Sequence, residues 1–168
     1  MTQTLVALRN AVKSSLQQLE AGDVVLVAVS GGADSLALAY AVLTEAKPLA
    51  INAIGITIDH QLQKNSAQQA EHVVQQLKEL GYGKVLNQKV VVTTESGLEA
   101  GARDGRYQAL LEVAEKTGAT QIYLGHTFND QAETVLLGLA RGSGARSLSG
   151  MAAINNKYVR PFLSITRN

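Results

Sequence analysis

Apolar and polar positions alternate along this chain with two periods, and the switches between them outline the elements. Leu5, Leu8, Val12, Leu16 and Leu19 recur at helical spacing, which predicts an amphipathic helix stopped near Gly22. Residues 24–30 (VVLVAVS) are apolar at six of seven positions, the signature of a parallel strand buried on both faces. A helix is predicted over 36–45, ended by Pro48, and a second strand over 49–58. Ser66 and Gln69 read as a capping box opening a helix with Ala70, Val73, Val74, Leu77 and Leu80 on one face, closed by Gly81. A third strand is expected over 85–92. A second capping box, Ser96 with Glu99, opens a helix to about Thr117, again closed by a glycine, Gly118. A short strand over 121–124 and a helix over 130–139 precede the loop RGSGARSLSG.

Strands alternating with helices imply right-handed βαβ units: an α/β fold with a parallel twisted sheet and helices on both faces. Ligands of such sheets bind beyond the carboxyl ends of the strands. Those ends carry Ser30 to Ser35, Asp59-His60, the stretch after Val92, and Gly125 to Asp130. Gly101 and Gly105 interrupt the long helix, each at a cost of about 0.8–1.0 kcal/mol against Ala. Close approach of a partner explains tolerating them.

Composition narrows the chemistry. The 168 residues suit one domain, and 46% hydrophobic with 17% charged residues is a globular balance. A net charge of +1 announces no global field for nucleic acid. Without cysteine there are no disulfides, thiolate nucleophiles or cysteine-held metals, which fits a reducing compartment. No window is apolar enough for a membrane span and no signal-like segment opens the chain, so a cytoplasmic protein is expected. The closing RPFLSITRN resembles neither cap nor tail and suggests the N-terminal fragment of something longer.

The strand–turn–helix at Ser30, Gly31, Gly32, Ala33, Asp34 and Ser35 aims backbone N–H groups and a positive helix end at one spot that favours an anion. Any tight α/β turn could use the same two glycines. No G-x-x-x-x-G-K-[ST] or G-x-G-x-x-G is present. Ser30 and Ser35 add hydroxyl donors suited to a diphosphate. Asp34 would repel bare phosphate, unless Mg2+ intervenes or the carboxylate turns to a second reactant. The set suits an enzyme that holds pyrophosphate as a leaving group.

SGGADS is similar to the SGGxDS loop of the PP-loop, or N-type ATP pyrophosphatase, enzymes. DHQL (59–62), LEAGARDGRY (98–107), GHTFNDQAET (125–134) and LARGSGARSLSGM (139–151) narrow the resemblance to the tRNA(Ile)-lysidine synthases, over about residues 24–162. It implies an ATP-dependent ligase acting on tRNA(Ile) with a CAU anticodon. The wobble cytidine is adenylated at C2 with release of pyrophosphate, and L-lysine then displaces AMP.

Carried onto this sequence, the resemblance makes Asp34, Arg103, Arg106 and Asp130 catalytic, the two arginines matching a family pair. ATP is held by residues 30–35, Asp59, His60, Gly125 and His126, the last on phosphate or ribose. Mg2+ falls to Asp34, Asn129 and Asp130. Asn129 stands where the family usually has aspartate, Glu133 is a further candidate, and Gln63 replaces a frequent arginine. Asn129 and Asp130 also suit a helix cap. Arg141 and Arg146 are assigned to the tRNA backbone. The loop by itself leaves open another adenylating synthetase of the GMP synthetase kind or a non-catalytic nucleotide binder. The absence of cysteine speaks against tRNA thiolation enzymes.

Overall fold

The computed structural model describes residues 3–61, 65–90, 98–140, 142 and 149–166, the side chains of 98–100 excepted. The elements run α1 (Gln3–Leu16), β1 (Val24–Ala28), α2 (Ala33–Ala46), β2 (Asn52–Asp59), α3 (Ser66–Leu80), β3 (Val85–Lys89), α4 (Leu98–Thr117), β4 (Ala119–Leu124), α5 (Phe128–Ala140), β5 (Ile154–Asn155) and β6 (Tyr158–Val159). The sheet order is β3-β2-β1-β4-β6-β5. All neighbours pair in parallel except β5 and β6, which form an antiparallel hairpin.

β1 is central, and its unbroken apolar run follows from that position. Val25, Val27 and Val29 face a core with Val12 and Leu16 of α1, Leu38 and Val42 of α2, and Val73 and Leu77 of α3. Leu26 and Ala28 face the opposite core, with Leu110, Val113 and Ala114 of α4. Successive side chains of a strand point to opposite faces, so both sets must be apolar. Register places Ala28 beside Ile56 of β2 and Leu124 of β4, so β1 and β4 end at one level while β2 runs on to Asp59. That common edge is the floor of the site.

Several boundaries differ from the sequence expectation. α1 ends at Leu16, and Leu19 enters a turn by donating its N–H to the Leu16 carbonyl (3.0 Å), still packing on the core. Pro48 does not sit beyond a simple helix end: α2 stops at Ala46 and residues Lys47–Leu49 form a 3-10 turn, so Leu49 is not in β2. Ser66 does not cap α3. It is the first helical residue, preceded by Asn65, which makes no side-chain cap bond. At the other end Gly81 closes α3 with φ +105°, its N–H reaching the Leu77 and Lys78 carbonyls. The Ser96–Glu99 box lies outside the described residues, as do residues 91 and 92 of the third strand. No described helix is long and apolar enough to cross a membrane.

The hairpin of β5 and β6 was not expected at all. Its strands have two residues each, too few for a period to register. It extends the sheet past β4 and brings residues 158–162 against the core, where Tyr158, Val159 and Phe162 are buried.

Candidate functional site

The turn after β1 is built by its own side chains and by close contacts. Gly31 adopts φ +87°, and a Cβ there would also meet Val73 Cγ2 at 2.9 Å, so no other residue fits. Gly32 is the N-cap of α2, extended (φ −73°, ψ 155°) and without a side-chain cap bond. Ser35 is buried and braces the loop: its hydroxyl donates to the Gly32 carbonyl (2.8 Å) and accepts from the Ser30 N–H (3.2 Å). Ser30 is exposed, and its hydroxyl lies 3.3 Å from that of Ser35. Opposite, Gly125 at the end of β4 packs on the backbone of residues 34 and 35.

Two cavities meet at this loop. The first, about 270 Å³, lies between the ends of β1 and β2 and the start of α3. Ile56, Ala70 and Val73 give it apolar walls, and Thr57, Asp59 and Ser66 add polar groups. The second, about 580 Å³, is lined by the 30–35 turn, Gly125, His126 and Asp130. Ala28, Ser30 and Arg106 border both. An apolar slot joined to a donor-rich chamber suits a ligand with a planar apolar end and an anionic end.

Arg106 and Arg103 take different places although they are three apart on α4. Arg106 stands at the junction of the cavities, whereas Arg103 is exposed, with its guanidinium 5.9 Å from the Tyr107 ring. Burial lowers the proton affinity of Arg106, and the charges of Arg103 and Arg160 lower it further, against an opposing effect of Tyr107. An arginine remains a cation even so. Three crowded guanidinium groups make this end of the site strongly positive.

His126 faces the second cavity, and burial pushes its pKa down to about 4, with Arg106 and Arg160 as further causes. Behind it, Arg160 Nε–H donates to His126 Nδ1 (3.3 Å), Nη1 to the Ala152 carbonyl (3.1 Å) and Nη2 to the Tyr107 hydroxyl (3.3 Å). The Tyr158 hydroxyl bonds the Tyr107 carbonyl (2.8 Å), and the two rings meet edge to face at 4.9 Å. Sequence reasoning missed Arg160, Tyr107 and Tyr158. The one available signal was an arginine following the apolar pair Tyr158-Val159.

Asp59 ends β2 as a buried carboxylate. Its Oδ1 accepts the Gln61 N–H (2.9 Å), which holds its pKa below the ordinary value, while Oδ2 and the neighbouring His60 Nδ1 are buried without a hydrogen-bond partner. Burial, then Arg106, lowers the pKa of His60. Both residues line the first cavity, away from the 30–35 turn's chamber.

On α5, Asp130 Oδ2 accepts from both the N–H (2.7 Å) and the hydroxyl (2.8 Å) of Thr127, so this carboxylate fastens the helix start. It also borders the second cavity with Asp34. Asn129 is exposed and does not border that cavity, and Glu133 is exposed as well. Among the described residues no three His, Asp or Glu side chains gather as a metal cage. Gln131 is a clasp: its amide exchanges two bonds with the backbone of Met151 (2.9 and 2.6 Å). Gln63, Arg141 and Arg146 lie outside the described residues.

Residues 5–168 match the model of the PP-loop domain. A tRNA(Ile)-lysidine synthase of Thermobifida fusca is 52% identical over 95% of this chain and 49% of the relative. One of Streptomyces coelicolor is 55% identical over 89% and 43% respectively. The chain thus spans about half the length of the curated relatives it matches. Among solved structures, the U34-tRNA thiolase NcsA of Methanococcus maripaludis, with its [4Fe-4S] cluster, superposes with a TM-score of 0.79. That match covers 97% of this chain and 60% of the other at 18% identity, a likeness of fold.

Proposed function

The chain belongs to the PP-loop domain family, and from that premise we propose that it is the ATP-binding catalytic domain of a tRNA(Ile)-lysidine synthase. In this reading its substrates are ATP, L-lysine and the wobble cytidine of tRNA(Ile) with a CAU anticodon. The cytidine C2 oxygen attacks the α-phosphorus of ATP and pyrophosphate leaves. The lysine ε-amine then attacks C2, loses a proton, and AMP departs with the oxygen. The reading places the enzyme in the cytoplasm, with its tRNA.

The observation that carries it is that Ser30 and Arg106 border both cavities. The adenosine end of ATP occupies the apolar slot beside Ile56 and Val73, with Asp59 and His60 at its far wall. The phosphates occupy the chamber of the 30–35 turn, where the opening N–H groups of α2 and the Ser30 hydroxyl receive pyrophosphate. Arg106, at the junction, faces the α-phosphate, where charge grows as the bond to pyrophosphate breaks. Gly125 lets β4 close on the turn, and Arg103 stands at the entrance.

Asp34 and Asp130, two carboxylates bordering one chamber, would hold a Mg2+ ion there. When bound, that ion neutralises phosphate charge. Asn129 has no part in this set. The cytidine has to be splayed from its loop to reach the site, and Arg141 and Arg146 are assigned to the tRNA backbone on resemblance alone.

The test has two arms. Calorimetry should show ATP with Mg2+ binding this chain; no heat above buffer at millimolar ATP would remove the nucleotide site. Labelled lysine should enter tRNA(Ile) with CAU, and not tRNA(Met) with CAU, when the domain works in a chain of the relatives' full length. Incorporation into neither would overturn the assignment of substrate.

A further inference from the structure

We propose that Arg160 is a positioning residue that fixes His126 as the neutral tautomer with its proton on Nε2, turned toward the phosphate chamber. The inference rests on the reading of that chamber given above. A guanidinium has donors only, so the 3.3 Å contact from Arg160 Nε to His126 Nδ1 requires a lone pair on Nδ1. A neutral imidazole with a lone pair on Nδ1 carries its hydrogen on Nε2. With the Nδ1 edge turned to Arg160, the ring offers its other edge to the chamber it borders.

Arg160 is itself held rigidly. It is 6% exposed, and its three nitrogens donate to His126, Ala152 and Tyr107, which belong to three separate segments. Its backbone N–H adds a bond to the Ala153 carbonyl (2.8 Å), and its guanidinium lies 5.9 Å from the Tyr158 ring. It borders neither cavity, so it reaches the ligand through His126 and not directly. A fixed cation beside Nδ1 also opposes formation of imidazolium, in line with the lowered pKa of His126. Arg103 and Arg106 act on the ring in the same direction, and Asp130 in the other. The outcome is an uncharged N–H donor aimed at an oxygen that gains charge during phosphoryl transfer, with no reorientation needed as it does so.

The experiment is nitrogen-15 NMR of the protein labelled at histidine. Only three histidines are present, and His60→Gln, His72→Gln and His126→Gln spectra assign them. At pH 7 the unmodified protein should show His126 with a protonated Nε2 and an unprotonated Nδ1. Protonation of Nδ1, alone or together with Nε2, overturns the proposal, and this measurement needs no variant of Arg160 to fold. In Arg160→Lys, His126 should exchange between tautomers. The kcat for ATP-dependent pyrophosphate release should fall by about tenfold or more, with KM for ATP held within about threefold. The same fall in kcat with the His126 tautomer unchanged would make Arg160 a support of the fold and overturn the proposal. Absence of pyrophosphate release in the unmodified enzyme would instead count against the proposed function and leave the spectrum readable.

Discussion

Gly125 and Ser35 touch backbone to backbone: a Cβ on Gly125 would lie 3.1 Å from Ser35 Cα and 3.2 Å from its nitrogen. The end of β4 is thereby pressed against the turn that opens α2. Gly125→Ala would have to push that turn aside, and overpacking of this kind costs about 1–3 kcal/mol. The strain falls on the loop proposed above to hold the phosphates. ATP binding should therefore weaken by about tenfold or more, which calorimetry measures, while circular dichroism stays that of the native sheet.

Arg106 is held where burial and two other guanidinium groups all disfavour its charge. Replacing it with methionine removes that repulsion and keeps most of the apolar stem. Arg106→Met should leave Tm unchanged or raise it, while the Kd for ATP with Mg2+ rises by tenfold or more. Thermal denaturation and calorimetry on one preparation test both halves. A fall in Tm with unaltered ATP affinity would show Arg106 to be structural.

How far the sequence could be read follows from which features are local. β1, β2 and β4 are legible because they are buried on both faces or nearly so, and the turn at 30–35 is legible because glycines and serines are clustered there. The site's positive end is half legible. Arg103 and Arg106 share a face by spacing, but only the sheet decides that Arg106 enters the cavities and Arg103 stays outside. Arg160 was not legible, since its contacts to Tyr107 and His126 span 53 and 34 residues. The Ser66 capping box failed for a local reason: α3 begins one residue earlier than the pattern requires, leaving Asn65 as cap. Asp130, which the spacing offers as a helix cap, does fasten Thr127, and it also borders the second cavity.

Acid should destabilise the protein through His126 and His60. The unfolded chain takes up a proton on a free imidazole near pH 6.5, about the usual value, whereas native His126 does so only near pH 4. Between those values unfolding binds a proton, so stability is complete above the upper value and declines as pH falls toward the lower one. The shift corresponds to at most about 3 kcal/mol, with His60 contributing in the same direction. Urea unfolding at pH 7 and pH 4.5 should show the loss, and His126→Gln should reduce it. A slope unchanged in the variant would mean that the ring titrates normally in the folded protein.

Gly105 sets two effects of opposite sign against each other. In an ordinary helix, glycine to alanine stabilises by about 1 kcal/mol. Here a Cβ would sit 2.8 Å from Val90 Cγ1, on a buried valine just beyond β3 that has little freedom to turn away. The crowding penalty of about 1–3 kcal/mol meets or exceeds the propensity gain. Gly105→Ala should therefore be neutral to destabilising, by up to about 2 kcal/mol in urea unfolding. Gly105→Ala combined with Val90→Ala, which removes the clash, should recover part of the helix gain relative to Val90→Ala alone. Stabilisation by the single substitution would show that α4 does not lie this close to β3. The neighbour that the long helix accommodates at Gly105 is thus Val90, just beyond β3.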